Sequence, residues 1–434
     1  MSDFALGVGG LAAMFGLMIL RMPVGMAMLS VGYFGTVMIN GARSANALLV
    51  TETFSAASNY NLTVIPLFIL MGNIASEAGF SRRLYDAAFA WVGWLRGGLA
   101  SASIVGCAAF AAVSGSSVAT AVTIGKVALP EMKRFRYSDA LATGAIAAGG
   151  TLGFLIPPST GFVLYAILTE ESIGQLFMAG ILPGLLLTAL FMITVSILTW
   201  RDPDAGPRGA HVALLARLTA FLRAFPLVAV IVISIGGIYL GVFTPVEAAG
   251  VGAGLVILLA LVMRKLRWNR FTAAVGDTIR TTAMLYLIVI GASILNPFLA
   301  LTHVPAALGE AMTSVGLGAY GVLFLIVVAY LVLGMFMDGL AMLVVTIPIF
   351  YPIVTALGFD PIWFGVVAVI VIEMGMITPP VGLNVFVVKS VADQVSMATI
   401  FRGVMPFWIA MAVCLLLIVT FPQIALLIPS AMFG

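Results

Sequence analysis

The amino-acid sequence predicts an all-α polytopic membrane protein, an inverted repeat with two re-entrant hairpins and two broken helices. Of its 434 residues, 62% are hydrophobic and only 9% are charged, whereas about 25% are charged in a typical soluble domain. Apolar runs of the length that crosses a bilayer, about 20 residues, recur along the whole chain. Glycine clusters and proline pairs interrupt these runs at matching places in the two halves. A water-soluble protein is therefore excluded.

The first half, residues 1–200, contains a predicted hairpin and a predicted broken helix. The hairpin tip is expected near 114–117, where Ser114-Gly115-Ser116-Ser117 precedes an apolar arm too short to cross. The broken helix is expected over 139–168, because Gly149–Gly153 and Pro157-Pro158 interrupt the run. Irregular backbone at membrane depth persists only where protein or a water-filled cavity satisfies its polar groups.

A linker and a second half of the same design complete the chain. Residues 201–225 are polar and then amphipathic, which predicts a linker on the cytoplasmic interface. In the second half, residues 226–434, a hairpin tip is expected near 337–339. A broken helix is expected over 362–388, where Gly375 and Thr378-Pro379-Pro380 interrupt the run.

The two halves are related by a fixed offset. Pro157-Pro158 matches Pro379-Pro380, and Pro130 matches Pro352, both 222 residues later. Each half has five full crossings and a hairpin, an odd number, so the second half enters the membrane with inverted topology. Inverted repeats with broken helices in corresponding positions are typical of secondary transporters whose site lies at the repeat interface.

The basic residues predict the orientation. With the N-terminus outside, eighteen of the twenty Lys and Arg residues fall on the cytoplasmic side. Arg43 falls outside, and Lys126 lies within the first hairpin. Such a bias follows the positive-inside rule and places both termini outside.

The sequence contains no motif of a metalloenzyme or of a nucleotide-driven pump. The two histidines are far apart, which leaves no HExxH or other metal-ligand cluster. Gly125-Lys126 lacks the flanking residues of a P-loop. We therefore expect no enzyme and no organic cofactor, and the interrupted repeats favour alternating access over an open channel.

The hairpin tips and the breaks are the candidate sites. The last carbonyls of a first arm suit a cation, and the first N–H groups of a second arm suit an anion. The unwound segments Gly149–Gly153 and Gly375–Thr378 supply further carbonyl oxygens. Oxygen ligands without a required carboxylate are expected to hold Na⁺ weakly.

Five side chains have candidate roles in these places. Asp338 either neutralises a bound cation or caps the second arm, since intramembrane ionisable groups are functional candidates. Glu373 lies one turn before the second break and either holds its geometry or is purely structural. Lys126 either snorkels or meets an anion. Thr160 and Asn384 follow the two breaks, where they are candidates to hydrogen-bond a carboxylate.

Several separate motifs, in the right order over nearly the whole chain, resemble the large, DctM-like membrane subunit of TRAP (tripartite ATP-independent periplasmic) transporters. The motifs are Arg21-Met22-Pro23-Val24-Gly25, Ile65-Pro66-Leu67-Phe68, Ala111–Ala121, Gly153–Ser159, Phe243–Ala249 and Ile377–Gly382. Val246 stands where the family pattern leads us to expect Thr.

The resemblance implies an elevator-type secondary transporter of the ion-transporter superfamily that imports organic anions such as C4-dicarboxylates or sialic acid, usually driven by Na⁺. It implies two sodium sites made largely of backbone carbonyls, each between a tip and a break. The expected sodium ligands are Ser114, Gly115, Gly150, Gly153 and Pro158, and Met337, Asp338, Gly339, Gly375 and Thr378. The expected substrate-binding residues, between the tips, are Ser116, Ser117, Thr160, Asp338 and Asn384.

The resemblance also implies partners and a location. A small four-helix membrane subunit, a periplasmic substrate-binding protein and membrane lipid are expected partners, and nucleic acid is not. The expected location is the bacterial inner membrane, with multiple crossings and both termini periplasmic. The alternative is a stand-alone Na⁺- or H⁺-coupled carboxylate symporter of the same superfamily, which needs neither protein partner.

Overall fold

Apolar helix-forming runs dominate the chain, and the computed structural model describes residues 3–209, 212–314 and 316–433 of it. All regular structure in those ranges is helical, which confirms the predicted all-α class. The α-helices of the first half are α1 (Asp3–Ile19), α2 (Val24–Ser58), α3 (Val64–Glu77), α4 (Phe80–Val92), α5 (Gly98–Ser114), α6 (Ser117–Arg134), α7 (Asp139–Leu155), α8 (Thr160–Thr169) and α9 (Ile173–Arg201).

The second half follows the same order of long helices, hairpin and broken helix. Its α-helices are α10 (Leu214–Tyr239), α11 (Pro245–Val262), α12 (Trp268–Leu301), α13 (Val304–Ser314), α14 (Gly318–Gly334), α15 (Gly339–Ala356), α16 (Pro361–Met376), α17 (Leu383–Val391), α18 (Met397–Thr420) and α19 (Gln423–Phe433). That the two halves are inverted relative to each other stays a prediction.

The membrane-spanning character of the chain follows from helix length and apolarity. Within the described ranges, eight helical segments are long and apolar enough to cross a bilayer. Two shorter helices, α3 and α4, meet at a bend of 71° and would together make a ninth. Gly79 lies at that bend with a φ of +72°, a conformation that glycine adopts without steric cost.

Both predicted hairpins and both predicted broken helices are present. The first hairpin joins α5 to α6 through Gly115 and Ser116, and the second joins α14 to α15 through residues 335–338. The breaks separate α7 from α8 at residues 156–159, and α16 from α17 at residues 377–382. The proline pairs lie in both breaks, as the spacing predicts. The prediction that Gly149–Gly153 are unwound is wrong, because they lie inside α7, and Gly375 likewise lies inside α16. These glycines instead permit close helix packing, as where Gly149 faces Cys107.

The linker between the halves is shorter than the predicted 201–225. α9 ends at Arg201, and α10 runs without interruption from Leu214 to Tyr239. The amphipathic segment is therefore the beginning of a long helix and not a separate element. Its helical pattern continues directly into the apolar run, and Pro226 inside the helix does not end it.

The hairpins and broken helices pack together, and we call them the hairpin body (α5–α8 and α14–α17). α7 is buried along its whole length from Leu141 to Leu155, and α16 from Ile362 to Met376. α7 packs against both arms of the first hairpin, and α16 packs against both arms of the second. Outside the hairpin body, α2 and α12 pack along each other.

Candidate functional site

The first tip and the first break are in direct contact. Gly115 has a φ of +61°, and a Cβ atom there would lie 2.6 Å from the carbonyl oxygen of Pro158. The carbonyl oxygen of Gly115 accepts hydrogen bonds from the Thr160 N–H at 3.1 Å and from the Thr160 Oγ1 at 2.8 Å. Beside them, the hydroxyl groups of Ser114 and Thr120 share a hydrogen bond of 2.7 Å. These contacts bring together predicted residues that are about 45 positions apart.

Backbone oxygens gather at this junction. A Cβ atom on Gly153 would lie 2.4 Å from the carbonyl oxygen of Ser116, and one on Gly150 would lie 3.2 Å from that of Ser117. These Cβ atoms would also lie 2.6 Å from the Thr120 Oγ1 and 2.7 Å from the Ala121 Cβ, respectively, so α6 and α7 pack closely where the two glycines lie. Carbonyl and hydroxyl oxygens are the ligand types that suit a hard cation, and the first sodium site at this junction stays a prediction.

The second tip and the second break also meet. A Cβ atom on Gly375 would lie 2.7 Å from the Cα atom of Gly334, so the ends of α14 and α16 are in backbone contact. Gly339 lies beside Ile372 and Met376. The hydroxyl group of Thr378 accepts a hydrogen bond from the Trp408 Nε1 at 3.0 Å and donates one to the Met374 carbonyl.

Asp338 caps the second arm of its hairpin. Its Oδ1 accepts hydrogen bonds from the N–H groups of Leu340 and Ala341, each at 3.1 Å. Ser116, 222 residues earlier, caps α6 in the same way through the N–H of Ala119. The capping alternative for Asp338 is therefore confirmed, while its role toward a cation stays a prediction.

A cavity of about 330 Å³ opens beside the first tip. From the hairpin body, its wall includes Ser114, Ser116, Lys126, Thr160 and Leu340. Ser116 is the N-cap of α6, and Thr160 is the first residue of α8. Two helix N-termini therefore open at one cavity. Leu340 begins the second arm of the other hairpin, so both repeats contribute to the wall.

The opposite wall of the cavity comes from α3 and α12. Its polar residues are Asn73, Ser76, Glu77, Asp277 and Thr281. The Asn73 Nδ2 donates a hydrogen bond to the Thr278 Oγ1 at 3.0 Å, which ties the two helices together. None of these residues is predicted from the sequence as a site residue, although Asn73 stands out as a polar residue inside an apolar run.

Three residues expected to bind substrate lie outside the cavity wall described above: Ser117, Asp338 and Asn384. Asp338 caps its own helix, and the other two contact Glu373. The Ser117 Oγ donates a hydrogen bond to the Glu373 Oε1 at 2.5 Å, and the Asn384 Nδ2 donates one to the Glu373 Oε2 at 3.2 Å. The side chains of Ser117, Glu373 and Asn384 are buried. The structure thus joins the first hairpin to both sides of the second break.

The chain is similar to a known family over nearly its whole length. Residues 11–424 match the family described as "Tripartite ATP-independent periplasmic transporter, DctM component".

Curated relatives in this family cover almost the full chain. The chain is 37% identical to the C4-dicarboxylate TRAP transporter large permease protein DctM of Pseudomonas aeruginosa, over 91% of this chain and 92% of that protein. It is 32% identical to the sialic acid TRAP transporter large permease protein SiaM of Vibrio cholerae, over 98% of this chain and 99% of that protein. It is also 32% identical to the ectoine TRAP transporter large permease protein TeaC of Halomonas elongata, over 97% of this chain and 98% of that protein.

A solved structure shares the fold. The YdaH transporter of Alcanivorax borkumensis, whose crystal structure is described as having an unusual topology, superposes with a TM-score of 0.63. The match covers 89% of this chain and 90% of that one at 15% identity.

Proposed function

Because the chain belongs to the DctM component family of tripartite ATP-independent periplasmic transporters, we propose that it imports an organic anion by Na⁺-coupled secondary transport. The family establishes a membrane transporter of the large permease type. The coupling ion, the substrate class and the path of transport are the proposal.

The observation that carries the proposal is the meeting of two helix N-termini at one cavity. α6 and α8 both begin at the wall that contains Ser116 and Thr160. Helix N-termini present a positive dipole end, and their unpartnered N–H groups, to an anion. The Thr160 N–H is bonded to the Gly115 carbonyl oxygen, so α8 would act through its dipole. Lys126 adds a cationic side chain to the same wall. A volume of about 330 Å³ is at the small end of ligand pockets, which suits a small carboxylate.

The proposed sodium sites lie beside this cavity. Ser114, Gly115, Gly150, Gly153 and Pro158 would hold one Na⁺ between the first tip and the first break. Met337, Asp338, Gly339, Gly375 and Thr378 would hold the second at the other tip. A cation at the first site would lie next to the N-terminus of α6 and would attract the anion to the same cavity, which couples the two solutes.

The proposed movement is that of an elevator. The cavity lies between the hairpin body and the helices α3 and α12, so a displacement of the hairpin body along these helices would carry the cavity with it. The polar side chains of Asn73, Ser76 and Asp277 would then face different residues of the hairpin body in the two end states.

The proposed setting is the bacterial inner membrane with both termini in the periplasm. The curated relatives are named as large permeases of TRAP transporters, which supports a separate small membrane subunit and a periplasmic binding protein as partners. Their names include C4-dicarboxylate, sialic acid and ectoine, so the first trial substrates are these three compounds.

Uptake into proteoliposomes tests the proposal. The chain is reconstituted with its small membrane subunit and given each labelled compound, with and without the cognate binding protein and an inward Na⁺ gradient. We expect uptake only when the binding protein and the inward Na⁺ gradient are both present. Uptake by the chain alone would favour the stand-alone symporter, and uptake driven equally by a proton gradient would contradict Na⁺ coupling.

A further inference from the structure

The carboxyl group of Glu373 joins the start of the first hairpin's second arm to the second broken helix. Its Oε1 accepts a hydrogen bond from the Ser117 Oγ at 2.5 Å, and its Oε2 accepts one from the Asn384 Nδ2 at 3.2 Å. Ser117 is the first residue of α6, and Asn384 is the second residue of α17. The proposed function so far gives this carboxyl group no role.

The three side chains of this cluster are closed off from solvent. Glu373 is 1% exposed, Ser117 is 4% exposed and Asn384 is 0% exposed. Loss of one partner would leave a buried polar group unpaired, which costs more than a typical hydrogen bond contributes. The two hydrogen bonds therefore fix the positions of Ser117 and Asn384 relative to the carboxyl group.

The same stretch of α16 also contacts the second hairpin. Gly339, the first residue of α15, lies beside Ile372 and Met376, and a Cβ atom on it would lie 3.1 Å from each of these side chains. Gly339 comes 222 residues after Ser117, so the two residues occupy corresponding positions in the repeat. The stretch of α16 around Glu373 therefore contacts the starts of both second arms.

These contacts lie between the proposed anion site and the proposed second sodium site. Ser117 directly follows Ser116, which caps α6 and is part of the cavity wall. Gly375, two residues after Glu373, belongs with Thr378 to the proposed second sodium site. A displacement of the end of α16 would therefore be passed to the start of α6 through the hydrogen bond between Glu373 and Ser117.

We propose that Glu373 is a positioning residue through which Na⁺ binding at the second tip and anion binding at the start of α6 favour each other. A cation held by Gly375 and Thr378 fixes the end of α16, and Glu373 then holds Ser117 and with it the N-terminus of α6 at the cavity. The hydrogen bonds of the carboxyl group, and not its charge, have this role. The coupling is reciprocal, because each ligand changes the affinity for the other by the same factor.

The inference rests on the proposed Na⁺ coupling, and the KM for the anion at low and at saturating Na⁺ tests it separately. Proteoliposomes with the chain, its small membrane subunit and the binding protein are given whichever of a C4-dicarboxylate, sialic acid and ectoine is taken up. Glu373→Leu removes both hydrogen bonds at similar volume. Couplings between sites change an affinity about 5- to 150-fold, and we expect Glu373→Leu to reduce the Na⁺-dependent fall in KM by about fivefold or more.

Two further variants separate the hydrogen bonds from the charge and from folding. The Oε1 of Glu373→Gln accepts from Ser117, and after a half-turn of the Asn384 amide its Nε2 donates to the Asn384 Oδ1, which has no hydrogen-bond partner among the described residues. We expect this variant to keep most of the Na⁺ dependence of KM. Ser117→Ala removes a single hydroxyl group and is expected to reduce that dependence as Glu373→Leu does, which keeps the test decisive if Glu373→Leu does not fold.

Tyr351→Phe is the matched control. The Tyr351 hydroxyl donates a hydrogen bond of 2.7 Å to the Glu171 Oε1, which also joins the two halves of the chain. This bond lies between α15 and the loop before α9 and involves no residue of the proposed sites. We expect Tyr351→Phe to leave the Na⁺ dependence of KM unchanged.

Two results would overturn the role of Glu373. An unchanged Na⁺ dependence of KM in Glu373→Leu and Ser117→Ala, with only a lower maximal rate or melting temperature, would make the contacts purely structural. Equal losses of the dependence in Glu373→Gln and Glu373→Leu would assign the effect to the charge. A KM that does not depend on Na⁺ in the unsubstituted chain would instead contradict the proposed coupling, and this role with it.

Discussion

The carbonyl oxygen of Gly115 accepts two hydrogen bonds from Thr160, from its N–H at 3.1 Å and from its Oγ1 at 2.8 Å. This pair fixes the first hairpin tip against the start of α8, so that the N-termini of α6 and α8 open at the same cavity. The geometry of the proposed anion site thus depends on a contact between the tip and the break.

Gly115→Ala tests that contact. A non-glycine residue at a φ of +61° costs about 1–3 kcal/mol, and its Cβ atom would lie 2.6 Å from the Pro158 carbonyl oxygen. We expect a loss of uptake of tenfold or more in proteoliposomes. Gly79→Ala is the control, because Gly79 has a φ of +72° and open space around it. Equal losses of uptake in the two variants would show that backbone strain alone causes the loss, and would contradict a role for the contact with Pro158.

The close approach of α14 and α16 gives a prediction on stability. Gly334→Ala would place a Cβ atom 2.8 Å from the Gly375 Cα atom, and overpacking of this kind costs about 1–3 kcal/mol. We expect a lower melting temperature in detergent. Gly254→Ala, on α11 with open space around it, is expected to be neutral or slightly stabilising. Identical melting temperatures for both variants would contradict the packing.

Asp338 caps the start of α15 and also carries a negative charge, and two substitutions separate these two roles. Asp338→Asn keeps an oxygen for the N–H groups of Leu340 and Ala341, whereas Asp338→Ala removes the cap at a cost of about 1 kcal/mol. We expect both variants to need several-fold more Na⁺ for half-maximal uptake, and only Asp338→Ala to melt at a lower temperature. An unchanged Na⁺ requirement in Asp338→Asn would reduce the residue to a cap.

Lys126 is expected to attract the substrate anion to the cavity. Lys126→Gln removes the charge from a solvent-exposed side chain on the wall, and we expect the KM for the anion to rise up to about tenfold, which corresponds to about 1.4 kcal/mol. Lys126→Arg is expected to retain most of the affinity. A KM that is equally high in both variants would show that the charge has no part in binding.

Local signals located the interrupted elements correctly. Gly115, with its positive φ, ends α5, and the proline pairs, which lack N–H groups, lie at both breaks. The hairpins and the broken helices therefore lie where the sequence predicts them, whereas the Gly149–Gly153 segment, predicted to be unwound, is helical because packing against neighbouring helices favours glycine there as well. The linker was less predictable, since an amphipathic segment that runs directly into an apolar one has no stop signal before Tyr239.

Contacts between segments that are distant in the sequence cannot be predicted from local sequence patterns. Ser117 and Glu373 are 256 residues apart, and the hydroxyl and amide groups of Ser117 and Asn384 suit a substrate carboxylate as well as a buried carboxyl group. The cavity wall on α3 and α12 was missed for the same reason. Asn73 and Asp277 become neighbours of the first tip only when α3 and α12 pack beside the hairpin body.

Substrate protection of a single thiol tests the central claim, that the anion binds where α6 and α8 begin. Ser116→Cys is labelled with a charged thiol reagent in Na⁺ buffer, with and without a C4-dicarboxylate, sialic acid or ectoine, while Cys107 and Cys414 are buried. Ser390→Cys, on an exposed part of α17, is the control. We predict that one of the three compounds slows labelling at position 116 alone. Equal labelling rates with all three compounds, alongside active uptake of one of them, would contradict the assignment.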